Sequence, residues 1–226
     1  MIVDQRNKWC ILTPPKTAST TLQIVFKEPK FSAAVVGAQH CMDPPEGVKR
    51  VLATVRDPWA RTVSLWRHCC LESYQRLVRA TGEDPFPLRD ETRHFLAQAA
   101  KEYPFMTFMD DVDDKRLNDF FSFSLCDWLQ YVTPEIIHFE RLNEELKAAL
   151  PDLPLDHEKL TFNNLNVLET TTHLLLHTKT TNYLAVPDPL EDLEARRRVL
   201  AWCREDFERF GYSTDYPGTE AGDGSQ

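Results

Sequence analysis

Glycine is scarce in this chain, with seven among 226 residues and none before Gly37. A G-x-G-x-x-G dinucleotide loop after the first strand is therefore excluded. A Walker A loop is disfavoured as well, because it would need glycine where the chain has Cys10 and Pro15. Long hydrophobic runs are missing: nothing approaches the ~20 consecutive apolar residues of a membrane span. Charges at Asp4, Arg6 and Lys8 precede any apolar stretch, which argues against a signal peptide. The six cysteines (Cys10, Cys41, Cys69, Cys70, Cys126, Cys203) show no CxxC spacing, and the vicinal Cys69 and Cys70 make a poor disulfide pair on a helix. Reduced thiols in a cytoplasmic protein are the expectation. No trustworthy HxxxH or paired-aspartate cluster occurs, so no metal is expected. There is also no block of five like charges, and 26 Lys plus Arg against 35 Asp plus Glu leave a net charge of −9. Nucleic acid is not an expected partner, because phosphate backbones demand clustered Lys and Arg.

What is present is an ordinary globular composition, 42% hydrophobic and 11% aromatic. The length suits a single domain over residues 1–212, followed by an unpatterned, flexible tail over 213–226. Trp9 to Thr13 is a short apolar run closed by Pro14 and Pro15, and Thr20 to Phe26 reads as a helix. Ala33 to Val36 is a second apolar run and Arg50 to Val55 a third, stopped by Asp57 and Pro58, which suit a helix cap and first turn. Strands alternating with helices predict a three-layer α/β fold, P-loop-like, with a central parallel sheet flanked by helices. Residues 81–114 show no sustained period and predict loops and short helices. Further on, Glu135 to Phe139 predicts a strand and Leu142 to Leu150 a helix. A last helix is expected from Glu191 to Phe210, with Leu193, Leu200, Cys203, Phe207 and Phe210 as its apolar stripe and Arg196 to Arg198 on a solvated face.

Two constellations carry chemistry. Pro15, Lys16, Thr17, Ala18, Ser19, Thr20 and Thr21 fall between the first strand and the first helix. There, backbone N–H groups and hydroxyls converge on whatever lies over the helix N-terminus, which favours a phosphate. The second is Arg56 to Ser64 (RDPWARTVS), an arginine at a strand end and a serine in the following helix. Fork donors and a hydroxyl suit phosphate oxygens. On a helical wheel Trp59, Val63, Trp66 and Cys70 share one face, and Arg61, Ser64 and His68 lie about 180° away, where a polar face can bind.

Taken together, P-K-T-A-S-T-T and R-D-P-W-A-R-T-V-S-L-W resemble the paired cofactor signatures of sulfotransferases that use 3′-phosphoadenosine 5′-phosphosulfate (PAPS). Ile137 to Leu142 (IHFERL) and Asp206 to Tyr212 (DFERFGY) are similar to segments of the Golgi-type carbohydrate enzymes, and the first loop is closest to the uronyl 2-O-sulfotransferases. The resemblance implies that Lys16, Thr17, Ala18, Ser19, Thr20 and Thr21 hold the 5′-phosphosulfate, and that Arg56 and Ser64 hold the 3′-phosphate. Lys179, in a segment that related enzymes fold over the nucleotide, is a further contact. No metal is implied. The reaction moves a sulfuryl group to an acceptor hydroxyl, with Lys16 neutralising the leaving oxygen and a histidine taking the proton. His40, at the end of the second apolar run, matches the segment where the Golgi-type enzymes carry their base. His68 is the runner-up, and His138 reads as a satisfied core residue. The acceptor is a saccharide, glycolipid or small alcohol, and the charge of −9 weighs against a highly sulfated glycan. Two rivals are a P-loop nucleotide kinase and a non-catalytic module that binds the product nucleotide, 3′-phosphoadenosine 5′-phosphate (PAP).

Overall fold

The structure is a computed structural model that describes residues 1–26, 33–35, 43–81, 100–101, 103–117, 119–153 and 188–217. Five strands form one sheet in the order β3-β1-β2-β4-β5: β1 Ile2–Asp4, β2 Trp9–Leu12, β3 Ala33–Val35, β4 Arg50–Val55 and β5 Glu135–His138. Strands β2, β4 and β5 run parallel, with Leu12 opposite Ala53 and Val55 opposite His138. The expected α/β sheet is present, and it is mixed because β1 runs antiparallel to both β2 and β3. Strand β1 has no expectation behind it in the sequence. It forms because Asp4 folds the chain back on itself: its carboxylate accepts the N–H groups of Arg6 (3.0 Å) and Lys8 (3.2 Å) while Asn7 takes a left-handed φ of 53°. Of the three charges at this end, the Asp4 carboxylate thus holds the hairpin's turn.

Alternation along the strands divides the core between two faces. Ile2, Ile11, Leu52 and Ile137 pack against helices α1 (Ser19–Phe26) and α6 (Leu142–Ala149) through Leu22, Val25, Phe26, Leu142 and Leu146. Val3, Cys10, Leu12, Ala53 and Val55 pack on the other face against Leu125 and Trp128 of the short helix α5 (Leu125–Trp128) and against Phe210. A further core joins α2 (Pro58–Thr81), α3 (Phe105–Asp113) and α7 (Leu193–Phe210). The remaining described helix, α4, is one turn at Asp119–Ser122.

Several expectations need correction. Residues 105–113 do carry a helical period: Phe105, Phe108, Met109 and Val112 are all buried at spacings of three and four. In α7 the buried stripe is Ala195, Val199, Cys203, Phe207 and Phe210, whereas Leu193 is 55% exposed. Small Ala195 and Val199 were outranked by leucine in the pattern, yet they are what fits against α2. Nor is the arginine run a solvated face throughout, since Arg198 reaches Asp110 (2.6 Å) and Asp113 on α3. Within the segment expected as a tail, Tyr216 is packed: it meets Trp59 edge-on at 5.6 Å and donates to Asp188.

Candidate functional site

The C-terminal ends of β2, β4 and β5 lie side by side, so residues 13–19, 56–57 and 139–141 share one edge of the sheet. An open α/β sheet binds its ligands at such an edge. The loop after β2 has no glycine, yet Lys16 and Ala18 adopt left-handed φ angles of 67° and 80°. Such backbone costs roughly 1–3 kcal/mol per residue and persists where the surroundings over-determine it. Here they do, because three consecutive carbonyls are each held by a side chain. Thr17 Oγ1 donates to the Pro14 carbonyl (2.7 Å), Arg61 Nε to that of Pro15 (3.3 Å) and Arg56 Nη1 to that of Lys16 (3.3 Å). With these carbonyls held, and the Thr17 N–H itself returned to the Pro14 carbonyl at 3.3 Å, the loop sits next to the first-turn amides that α1 leaves outside its own ladder. A phosphate or sulfate ester fits that arrangement.

The residues singled out in the sequence fall into three sets. Lys16 is half-buried in the loop, Ala18 and Ser19 are buried, and Thr20 and Thr21 lie in the first turn of α1. The Thr17 hydroxyl is fully buried and lies 2.8 Å from Thr54 Oγ1 on β4, so its side chain shapes the loop from within. Arg56 leaves β4 at this same edge, with its guanidinium 4.3 Å above the Phe139 ring and Nη1 on the loop. Ser64 is half-buried on the second turn of α2. His40 and Lys179 lie outside the described residues.

The cap read at Asp57 is present, with Oδ1 accepting the Ala60 N–H at 2.9 Å. Burial pushes the Asp57 carboxyl above its ordinary value, with Glu140 adding to the effect and Arg56 opposing it. Glu140 ties the edge together by accepting the Asp57 N–H (3.0 Å) and the Tyr212 hydroxyl (2.9 Å). Trp59 and Trp66 are packing residues, Trp59 against Phe207 at 5.1 Å and Trp66 donating to the Tyr103 carbonyl at 2.9 Å. His68 packs on Phe121 at 5.2 Å. His138 is satisfied by Glu145 (3.1 Å) and by the Phe210 carbonyl (3.2 Å), as its place in an apolar strand suggested.

Sequence reasoning misplaced Arg61, which it set on an open polar face; the side chain is 0% exposed. It also missed Thr54, Phe139 and Glu140 as parts of the edge. A threonine inside the run L-A-T-V and an acidic residue two positions after β5 were the available signals, and both were outweighed by the apolar pattern around them. Among the described residues no group of three His, Cys, Asp or Glu could hold a metal. No helix of the described residues is long and apolar enough to cross a membrane.

The loop before α1 thus lies beside an arginine from the adjacent parallel strand, at the C-terminal edge of an α/β sheet. The model of the sulfotransferase family matches residues 1–213, which take in every described element from β1 to α7, and the chain belongs to that family. Neither curated proteins nor solved structures provide a match.

Proposed function

We propose that the protein transfers the sulfuryl group of PAPS to a hydroxyl of an acceptor. The observation that carries this reading is the glycine-free loop with its carbonyls tied back, seated beside Arg56 at the edge where β2 and β4 end. In this reading the loop from Lys16 to Thr21 receives the 5′-phosphosulfate, through backbone N–H groups and the Ser19 and Thr21 hydroxyls. Thr17 contributes through the loop's shape. Arg56 and Ser64 take the 3′-phosphate and Lys179 adds a nucleotide contact. The bond between sulfur and the bridging phosphate oxygen breaks as the acceptor oxygen bonds to sulfur, and PAP leaves with the electron pair. Lys16 neutralises that oxygen, and His40 accepts the proton of the acceptor hydroxyl. The acceptor is a saccharide, glycolipid or small alcohol.

A thermal-shift comparison tests the donor. At a hundredfold excess over Kd, a ligand adds about 2.7 kcal/mol of stability, and roughly 2–4 °C per kcal/mol is expected for this chain length. PAP is expected to raise the melting temperature by several degrees without magnesium, and its analogue lacking the 3′-phosphate to do so much less. A response confined to ATP with magnesium would replace this reading with a nucleotide kinase. Binding of PAP with no sulfate transfer to any acceptor would favour the non-catalytic module.

A further inference from the structure

Arg61 is fully buried, as is Asp206 on α7. Its Nε donates to the Pro15 carbonyl in the loop, and its Nη2 donates to the Phe123 carbonyl at 3.0 Å. Nη1 has no hydrogen-bond partner among the described residues. Asp206 spends both oxygens on backbone two residues further on, accepting the N–H groups of Leu125 (2.8 Å) and Cys126 (2.7 Å). Burial lowers the pKa of Arg61, and the Asp206 charge is the foremost influence opposing that shift. A buried cation with an idle donor is a poor way to add stability, since apolar residues of similar volume often replace buried ion pairs without loss. What this pair does that apolar residues cannot is fix two pieces of backbone, residue 15 of the loop and residues 123–126, to α2 and α7.

We propose that Arg61 is a positioning residue for the phosphate loop, holding the Pro15 carbonyl from α2 and balanced inside the core by Asp206. The carbonyl it holds directly precedes the left-handed Lys16, so releasing it frees the peptide whose orientation decides where the loop's N–H groups and the Lys16 side chain point. The proposal rests on reading that loop as the seat of the donor's 5′ end.

The test compares wild type with Arg61→Lys and with the double variant Arg61→Met, Asp206→Asn. Arg61→Lys keeps the charge beside Asp206 and removes the fork that spans two carbonyls. Two quantities are read at a temperature where circular dichroism shows each variant folded. One is amide hydrogen exchange at Thr17, whose N–H donates to the Pro14 carbonyl inside the loop, against that of β2 and β4. The other is the calorimetric Kd for adenosine 3′,5′-bisphosphate against adenosine 3′-monophosphate. Both variants are expected to exchange at least tenfold faster in the loop, with β2 and β4 unchanged, and to lose at least tenfold of the preference for the 5′-phosphate. Wild-type exchange in the loop with an intact 5′-phosphate preference, in either folded variant, would overturn the proposal. If the wild type binds neither nucleotide, the sulfuryl-donor reading fails on its own and loop exchange alone decides the role of Arg61.

Discussion

At the residue scale, the proposed function separates groups that bind from groups that react. His40→Ala is expected to leave PAP affinity within about twofold and to lower kcat by roughly 10²–10⁴, the usual worth of a positioned base. Turnover at the wild-type rate in His40→Ala would remove it from the mechanism. Arg56→Ala should act on binding instead. Charge-assisted hydrogen bonds are worth about 1.5–3 kcal/mol, so a loss of roughly ten- to a hundredfold in PAP affinity is expected by calorimetry. That loss should exceed the loss in Ser64→Ala, because Arg56 also holds the Lys16 carbonyl. The cysteines offer a contrast to these working residues. Burial pushes the thiols of Cys70 and Cys126 up to about 12, and raises that of fully buried Cys203 as well. Thiolate is the reactive form, so these three are expected to resist iodoacetamide at pH 8 until the protein is unfolded, as read by mass spectrometry of labelled peptides.

At the element scale, α2 is the piece on which the site depends, and its start is set by Asp57. The carboxyl is held above its ordinary value chiefly by burial, so the folded protein binds this proton more tightly than the unfolded chain. The sign follows: charge on Asp57 opposes folding at neutral pH, and the opposition fades as pH falls through the carboxylate range. Asparagine caps a helix as well as aspartate without carrying that charge. Asp57→Asn is therefore expected to melt at or above the wild-type temperature at pH 7, with its advantage shrinking toward pH 4. Asp57→Ala, which loses the cap, should cost about 1 kcal/mol. Equal destabilisation by both substitutions would show that the cap does not set the start of α2. This cap was legible in the sequence because D-P at a strand end is a local signal, and β2, β4, β5 and α6 were legible for the same reason. What escaped depended on partners distant in sequence. Ala195 and Val199 are core residues only because α2 lies against them, and Arg61 is buried only because the 123–126 segment closes over it. The loop's chemistry was readable from its hydroxyls and lysine, whereas the carbonyl lock that replaces glycine was not, since two of its donors come from 40 and 46 residues away.

At the scale of the whole molecule, α7 is the element through which the separate cores act as one. Phe207 packs on Trp59 of α2, Asp206 holds the start of α5, Phe210 closes the sheet core and Tyr212 reaches Glu140 at the site's edge. A defect at its centre should therefore be felt everywhere at once. Phe207 is 1% exposed, and truncating a buried phenylalanine to alanine costs about 3–5 kcal/mol. Against the 5–15 kcal/mol that holds a typical domain folded, this is a large fraction. Phe207→Ala is expected to lower the urea midpoint by that loss divided by the slope m, with m unchanged, since the same surface is exposed on unfolding. Tryptophan fluorescence of a variant with Trp9 and Trp128 replaced by phenylalanine, which reports on Trp59, Trp66 and Trp202 of the α2, α3 and α7 core, and far-ultraviolet circular dichroism, which reports on the sheet and helices, should give coincident transitions. Two separated transitions would instead mean that the α2, α3 and α7 core melts independently of the sheet. In that case α7 would be a local prop and not the clamp that keeps the sheet edge and its phosphate loop in one frame.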